Sequence, residues 1–115
     1  MQGRSPAAAA GNRTRSARRR SREFAMQGIY QWLLSAEDIG AIQAHIETSP
    51  GFDKADRSHF DTLLKGTISQ ASALEAILLP SLDRPLNLLG PVERAILMQA
   101  TFELKDLQEI PYRVV

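Results

Sequence analysis

The sequence contains no cysteine, which excludes a disulfide framework, a thiolate metal site and a thiol nucleophile. Aromatic residues make up only 6% of the chain, and the apolar runs are far too short to span a membrane. No apolar segment of signal-peptide length follows the basic N-terminal stretch, so we expect no secretory signal. These features favour a cytoplasmic protein that makes no contact with a membrane.

The composition is that of a single soluble globular domain. The chain has 115 residues, of which 43% are hydrophobic and 23% are charged. The formal net charge of +1 conceals a strong asymmetry. Residues 1–22 contain seven arginines and no acidic residue, whereas residues 23–115 contain seven basic and 13 acidic residues. This asymmetry indicates an electrostatic role for the basic end, and its natural partner is a polyanion.

The N-terminal part of the sequence predicts a tail followed by a long helix. Residues 1–13 have low complexity and little to bury, so we predict a flexible tail. Apolar residues at spacings of three and four then predict a helix over residues 14–35, and we expect Trp32 to belong to the core. The apolar stripe begins after the arginines, so the first turns of this helix are expected to be helical but not packed on a core.

Helical patterns continue through the rest of the chain. A second helix is predicted from residue 36, capped by Ser35, and a third from residues 53–56 to residue 79. The third helix carries the strongest apolar series: Phe60, Leu63, Leu64, Ile68, Ala71, Leu74 and Leu78. The segment 90–93, Gly-Pro-Val-Glu, is typical of a helix start. No segment alternates as a strand does, so residues 14–115 are predicted to form an all-α bundle of about five helices.

Catalytic constellations are scarce in this sequence. His45 and His59 are its two histidines, and neither belongs to a pair with metal-ligand spacing. The sequence contains no phosphate-binding glycine loop, dinucleotide fingerprint or nucleophile elbow. We therefore predict that the protein is not an enzyme and uses no cofactor or metal, and that both histidines are surface or interhelical residues.

The arginine cluster is the main chemical feature of the sequence. Four of its members follow the spacing i, i+3, i+4 and i+7, which places them on one helix face: Arg15, Arg18, Arg19 and Arg22. Arg20 is predicted to broaden this face. Guanidinium groups grip phosphates in bidentate fashion, so the cluster predicts polyanion binding. An arginine- and serine-rich N-terminus also resembles an organelle transit peptide, but here the arginines merge into the helix itself.

Tyr30 lies on the same helical ridge, which runs from Arg22 through Met26 in steps of four residues. An aromatic ring beside arginines can stack on an unpaired base, which is typical of single-stranded RNA recognition. An interhelical tyrosine with its hydroxyl at the rim of the bundle fits the pattern equally well. Both interpretations of Tyr30 stay open at this point.

Three segments of the sequence form a recognisable series. The first reads A-R-R-R-S-R-E at residues 17–23 and A-M-Q-G-I-Y-Q-W at residues 25–32. The second is F-D-T-L-L-K-G at residues 60–66. The third is L-G-P-V-E-R-A-I-L at residues 89–97, followed by F-E-L at 102–104 and I-P-Y at 110–112. In this order the segments resemble the NusB family of bacterial transcription antitermination factors; the resemblance covers residues 17–115 and implies an all-helical fold.

The resemblance also implies partners and site residues. It implies single-stranded boxA RNA, the small-subunit ribosomal protein NusE and the transcription elongation complex as partners, in support of ribosomal RNA transcription. The RNA-binding residues carried over are Arg18, Arg19, Arg20, Arg22 and Tyr30, and Glu93 lies in the region implied to contact NusE. Two other functions are compatible with the sequence: an RNA-binding accessory domain of an enzyme that modifies ribosomal RNA, and a general scaffold for any polyanion.

The end of the sequence carries a further expectation. Family members continue past I-P-Y with more helices, whereas this sequence ends at Val115. We therefore expect a C-terminally incomplete domain in which the apolar faces of the third and last helices are partly exposed. Exposed apolar surface of this kind usually finds a partner, so self-association is expected.

Overall fold

The computed structural model describes the backbone of residues 6–82 and 88–107, with side chains for residues 13–80, 82 and 88–107. These ranges contain five α-helices and no strand: α1 Pro6–Ser35, α2 Ile39–Glu47, α3 Arg57–Ser69, α4 Ala71–Leu78 and α5 Pro91–Asp106. Two short 3-10 helices lie at Phe52–Lys54 and Leu79–Ser81. The all-α prediction is confirmed. In the described part of the chain, no helix is both long enough and apolar enough to cross a membrane.

The first helix is longer than the sequence pattern predicts. It begins at Pro6 instead of residue 14, so the second half of the predicted tail is helical. Proline is well suited to a first helical position because its φ angle is already helical, and the alanine run that follows has the highest helix propensity. The first residues of the predicted tail, 1–5, lie outside the described residues.

The core forms where α1 crosses the other helices, with its largest contact against α3. The buried apolar cluster consists of Ala25, Ile29, Ile42, Ile46, Phe52, Phe60, Leu63, Leu64, Ile68, Leu74, Ala95 and Phe102. Trp32, predicted as a core residue, is partly buried and packs at the edge of this cluster. Gly28 permits the close crossing, because a Cβ at this position would lie 2.7 Å from Cδ1 of Leu64.

The connection between α1 and α2 differs from the prediction. Asp38, not Ser35, caps α2, and its Oδ2 accepts a hydrogen bond from the Ala41 backbone N–H at 3.3 Å. Ser35 is the last residue of α1, and its hydroxyl donates back to the Gln31 carbonyl at 2.8 Å. The serine oxygen also accepts from the Glu37 N–H at 3.3 Å, so Ser35 closes the end of α1, and Asp38 caps α2 three residues later.

The predicted third helix is in fact two helices. Asp56 caps α3 by accepting from the His59 N–H at 3.1 Å, but the chain bends at Gln70 before α4 begins. The Gln70 amide donates to Asp106 Oδ2 at 2.6 Å, and its Oε1 accepts from Lys105 Nζ at 2.9 Å. The bend is thus held by residues of α5 far along the chain, while the apolar series runs across it without interruption.

The last described helix begins as predicted. Pro91 is its first residue, and Glu93 Oε1 accepts from the Gly90 N–H at 3.0 Å. The predicted exposure of an apolar face is correct for α5, where Val92, Ile96, Ala100 and Leu104 are exposed. On the predicted third helix, Leu63, Leu64, Ile68 and Leu74 are buried and Leu78 is half-buried, so most of that face is covered. The expectation for residues 108–115 falls outside the described residues.

Candidate nucleic-acid interface

Four arginines of α1 line one concave face, which we call the arginine cradle. Its lining residues are Arg15, Ser16, Arg18, Arg19 and Arg22, and they enclose a volume of about 610 Å³. All four arginine side chains are exposed. Four like charges on one helix face repel each other, so an anion placed among them is strongly attracted.

Arg20 is not among the residues that line the cradle. It is half-buried and turned toward the loop before the first 3-10 helix, where its Nη1 lies 4.0 Å from the Cβ position of Gly51. Successive helical residues are rotated by about 100°, so a position two residues from Arg18 points to another side of α1. Gly51 has a φ of +87°, a conformation that favours glycine, and forms the turn that Arg20 covers.

Arg22 joins the cradle to α5 through two hydrogen bonds. Its Nε donates to Glu103 Oε2 at 3.1 Å, and its backbone carbonyl accepts from Gln99 Nε2 at 2.9 Å. The Arg22 side chain remains 56% exposed despite the ion pair. Nε is one of five N–H donors on the guanidinium, so the ion pair with Glu103 uses one of them and the others can bind a ligand.

Ser21 fastens the same stretch of α1 to the start of α3. Its hydroxyl is fully buried and accepts from the Asp56 N–H at 2.8 Å. The Ser21 hydroxyl can donate its proton to the Asp56 carbonyl oxygen at 2.7 Å or to the Ala17 carbonyl oxygen at 3.0 Å. Sequence reasoning did not find this residue, because a small polar side chain inside a basic run carries no signal of its long-range partner.

A narrow cleft and a wider groove continue from the cradle along α1. The interhelical cleft lies between α1 and α5, has a volume of about 200 Å³ and is lined by Arg19, Arg22, Glu23, Met26, Ile96, Gln99, Ala100 and Glu103. The apolar groove, of about 690 Å³, is lined by Glu23, Met26, Gln27, Tyr30, Gln31, Leu34, His45, Ile46, Ser49, Val92 and Ala95. The cleft shares residues with both neighbours, so the three form one continuous surface.

Two predicted site residues, Tyr30 and Glu93, lie outside the cradle. Tyr30 is 37% exposed and lines the apolar groove, not the cradle. Glu93 is exposed in the first turn of α5, directly after Val92 of the groove, and its carboxylate caps the helix. The arginines and Tyr30 therefore occupy opposite ends of one surface along α1. His45 lines the groove, and the described residues contain no cluster of three potential metal ligands.

The fold and this surface define a small all-helical domain whose first helix carries a concave basic face. The sequence model of the NusB family matches residues 19–115. That match covers most of the chain, and the chain belongs to the NusB family.

Individual relatives support the assignment. Transcription antitermination protein NusB of Paraburkholderia phytofirmans is 56% identical over 101 residues, which cover 88% of this chain and 70% of the relative. The protein of the same name from Cupriavidus pinatubonensis is 54% identical over 101 residues, covering 88% of this chain and 60% of the relative. The protein of the same name from Aromatoleum aromaticum is 52% identical over 102 residues, which cover 89% of this chain and 70% of the relative. The family is thus one of transcription antitermination proteins.

Proposed function

We propose that this chain is an antitermination factor that binds single-stranded boxA RNA together with the ribosomal protein NusE, within the transcription elongation complex. The observation that carries the proposal is the arginine cradle, in which four exposed arginines of one helix line a single concave face. Relatives more than 50% identical to this chain bear the name of transcription antitermination proteins.

The cradle suits the backbone of an RNA strand. Guanidinium groups bind phosphate oxygens through paired N–H donors, and several such contacts supply most of the affinity at low salt. The cleft that continues from the cradle combines charged residues with the apolar Met26, Ile96 and Ala100. The groove beyond it exposes more apolar surface, which can accommodate unpaired bases or a protein partner. RNA binding is thus proposed for the four cradle arginines Arg15, Arg18, Arg19 and Arg22, with Tyr30 at the far end of the surface, whereas Arg20 lies outside the cradle.

The apolar groove and Glu93 support the proposed contact with NusE. Tyr30, Leu34 and Val92 expose apolar surface around the groove, and exposed apolar patches rimmed by polar residues mark protein contacts. Glu93 follows Val92 of this groove in the first turn of α5 and is exposed. NusE is therefore proposed to bind the groove and the start of α5, while the cradle binds RNA.

Salt-dependent binding of a boxA-like RNA tests the RNA part of the proposal. The salt slope is the change in the logarithm of the RNA binding constant with the logarithm of the salt concentration. Four phosphate contacts to a single strand predict a salt slope near −2.8, since each contact contributes about −0.7. Arg18→Gln or Arg19→Gln should flatten the slope by about 0.7. Arg20→Gln is the matched control, because it removes the same charge from the neighbouring position outside the cradle.

Two results would contradict this assignment. One is a salt slope that is unchanged when all four cradle arginines are replaced by glutamine. The other is equal competition by an unrelated RNA, which would favour a general scaffold for polyanions over a boxA-specific factor.

Titration with NusE tests the second contact. Glu93→Gln keeps an oxygen that can cap α5 but removes the charge, so the melting temperature should change little. Binding of NusE should weaken if the carboxylate contacts a cation of the partner. Unchanged NusE affinity in Glu93→Gln would remove this residue from the interface.

A further inference from the structure

Gln99 is a polar residue at a core position of α5. It follows Ala95 by four residues and precedes Phe102 by three, and all three side chains are buried. Gln99 is only 3% exposed, although the apolar face of a helix normally carries an apolar residue at such a position. Its polarity therefore calls for a physical explanation.

One of the two polar atoms of the Gln99 amide has a hydrogen-bond partner among the described residues. Its Nε2 donates to the Arg22 carbonyl at 2.9 Å, which fixes the orientation of the amide, because the opposite orientation would bring two oxygens together. Its Oε1 is buried, and the part of the chain that the structure describes provides no hydrogen-bond partner for it. A buried acceptor without a partner destabilises the fold, so stability alone does not account for a glutamine here.

The Gln99 amide binds the backbone of Arg22, one of the residues that line the arginine cradle. In a continuous helix the Arg22 carbonyl already accepts from the backbone N–H four residues later, so Gln99 occupies its second lone pair. One turn further along α5, Glu103 accepts from the Arg22 Nε at 3.1 Å. The backbone and the guanidinium of Arg22 are thus held by two side chains of the same helix.

We propose that Gln99 is a positioning residue for RNA binding, which fixes the backbone at Arg22 so that Glu103 can orient the guanidinium toward a phosphate. The inference rests on the proposed function. Gln99 lines the interhelical cleft but is only 3% exposed, so the role assigned to it acts through Arg22 and not through a contact of its own with the RNA. The unsatisfied acceptor is the stability cost of holding Arg22 in place.

The test compares Gln99→Leu with wild type, using a boxA-like single-stranded RNA and its salt-dependent affinity. Leucine removes both the hydrogen bond to Arg22 and the unsatisfied oxygen at nearly constant volume. We expect an unchanged or higher melting temperature, a salt slope flatter by up to about 0.7, and an affinity at 0.1 M salt lower by up to about fivefold. Gln99→Met serves if the leucine variant does not fold.

Thr67→Val is the matched control. Thr67 is also fully buried, and its Oγ1 likewise has no hydrogen-bond partner among the described residues, but it lies on α3 and lines neither the cradle nor the cleft. The melting temperature of Thr67→Val should be unchanged or higher, as for Gln99→Leu. Its RNA affinity and salt slope should equal those of wild type. Arg22→Gln gives the slope expected when the phosphate contact is lost completely.

The outcomes separate this inference from the proposed function. If wild type binds RNA with the expected slope and Gln99→Leu binds identically while folded, the positioning role is overturned and the proposed function stands. If wild type shows no salt-dependent RNA binding, both are overturned. A flatter slope in Gln99→Leu but not in Thr67→Val supports the positioning role, because a structural effect alone would leave the number of phosphate contacts unchanged.

Discussion

The backbone of Gly66 in α3 lies directly against the ring of Phe102 in α5. A Cβ at residue 66 would stand 2.2 Å from Cζ of Phe102, far inside van der Waals contact. Phe102 is buried, so its ring has little room to move. The crossing of α3 and α5 therefore depends on the absence of a side chain at residue 66.

Gly66→Ala should destabilise the protein even though alanine is the better helix former. Overpacking a core contact typically costs about 1–3 kcal/mol, which exceeds the gain of about 1 kcal/mol in helix propensity. Urea unfolding monitored by circular dichroism measures the change. In a Phe102→Leu background the same substitution should cost less, and an equal cost in both backgrounds would mean that the ring is not the obstacle.

Ala36 provides a prediction of the opposite sign. It is exposed and adopts a φ of +56°, the left-handed conformation that follows many helices and that favours glycine. Ala36→Gly should stabilise the protein by about 0.5–1 kcal/mol, because relief of backbone strain exceeds the entropy that glycine adds to the unfolded chain. Ala44→Gly, at an exposed interior position of α2, should instead destabilise it by about 1 kcal/mol. Similar effects at both positions would contradict this account.

Tyr30 can be tested against both of its interpretations. If its ring stacks on an unpaired base, Tyr30→Ala should weaken RNA binding by about 1–3 kcal/mol, whereas Tyr30→Phe should retain it. Fluorescence anisotropy with labelled RNA measures the effect, and thermal unfolding controls for lost packing. Loss of NusE affinity alone would place Tyr30 in the protein-binding part of the groove. A drop in stability with normal RNA binding would identify it as an interhelical residue.

The exposed ridge on α5 predicts self-association. Val92, Ile96 and Leu104 are 53%, 44% and 65% exposed and, with Ala100, recur every four residues along one line of the helix. Such a ridge packs readily into the groove of another helix. Light scattering should show a mass that rises with protein concentration, and Leu104→Lys should reduce the rise. Ile77→Lys on α4 is the control, and a concentration-independent monomer would contradict the prediction.

Asp106 predicts a local pH dependence at the end of α5. The hydrogen bond from the Gln70 amide, together with the one from Lys105, lowers the pKa of the Asp106 carboxyl below its usual value of 3.8. A carboxyl with a lowered pKa stabilises the folded state above its unfolded pKa, and this contribution is lost as the pH falls below 3.8 toward the folded value. Carbon-detected NMR titration should show a higher Asp106 pKa in Gln70→Ala. An unchanged value would show that the contact with Gln70 is not formed in solution.

Local signals in the sequence determined the helical class of this protein, several helix starts and the face that carries the arginines. Helical spacing places Arg15, Arg18, Arg19 and Arg22 on one side of α1 whatever the rest of the chain does, and Asp56 and Gly90-Pro91 mark the starts of α3 and α5 through neighbouring residues alone. These features depend on interactions within about one helical turn, which is why a pattern in the sequence can predict them.

Tertiary structure alone decided the features that depend on residues distant in the chain. The bend at Gln70 is held by Lys105 and Asp106, and Arg22 is held by Gln99 and Glu103. The position of Tyr30 in a groove apart from the cradle depends on the packing of α2 and α5 against α1. Each partner lies tens of residues away or on another helix, and helical periodicity shows which face a residue occupies but not which residue will meet it.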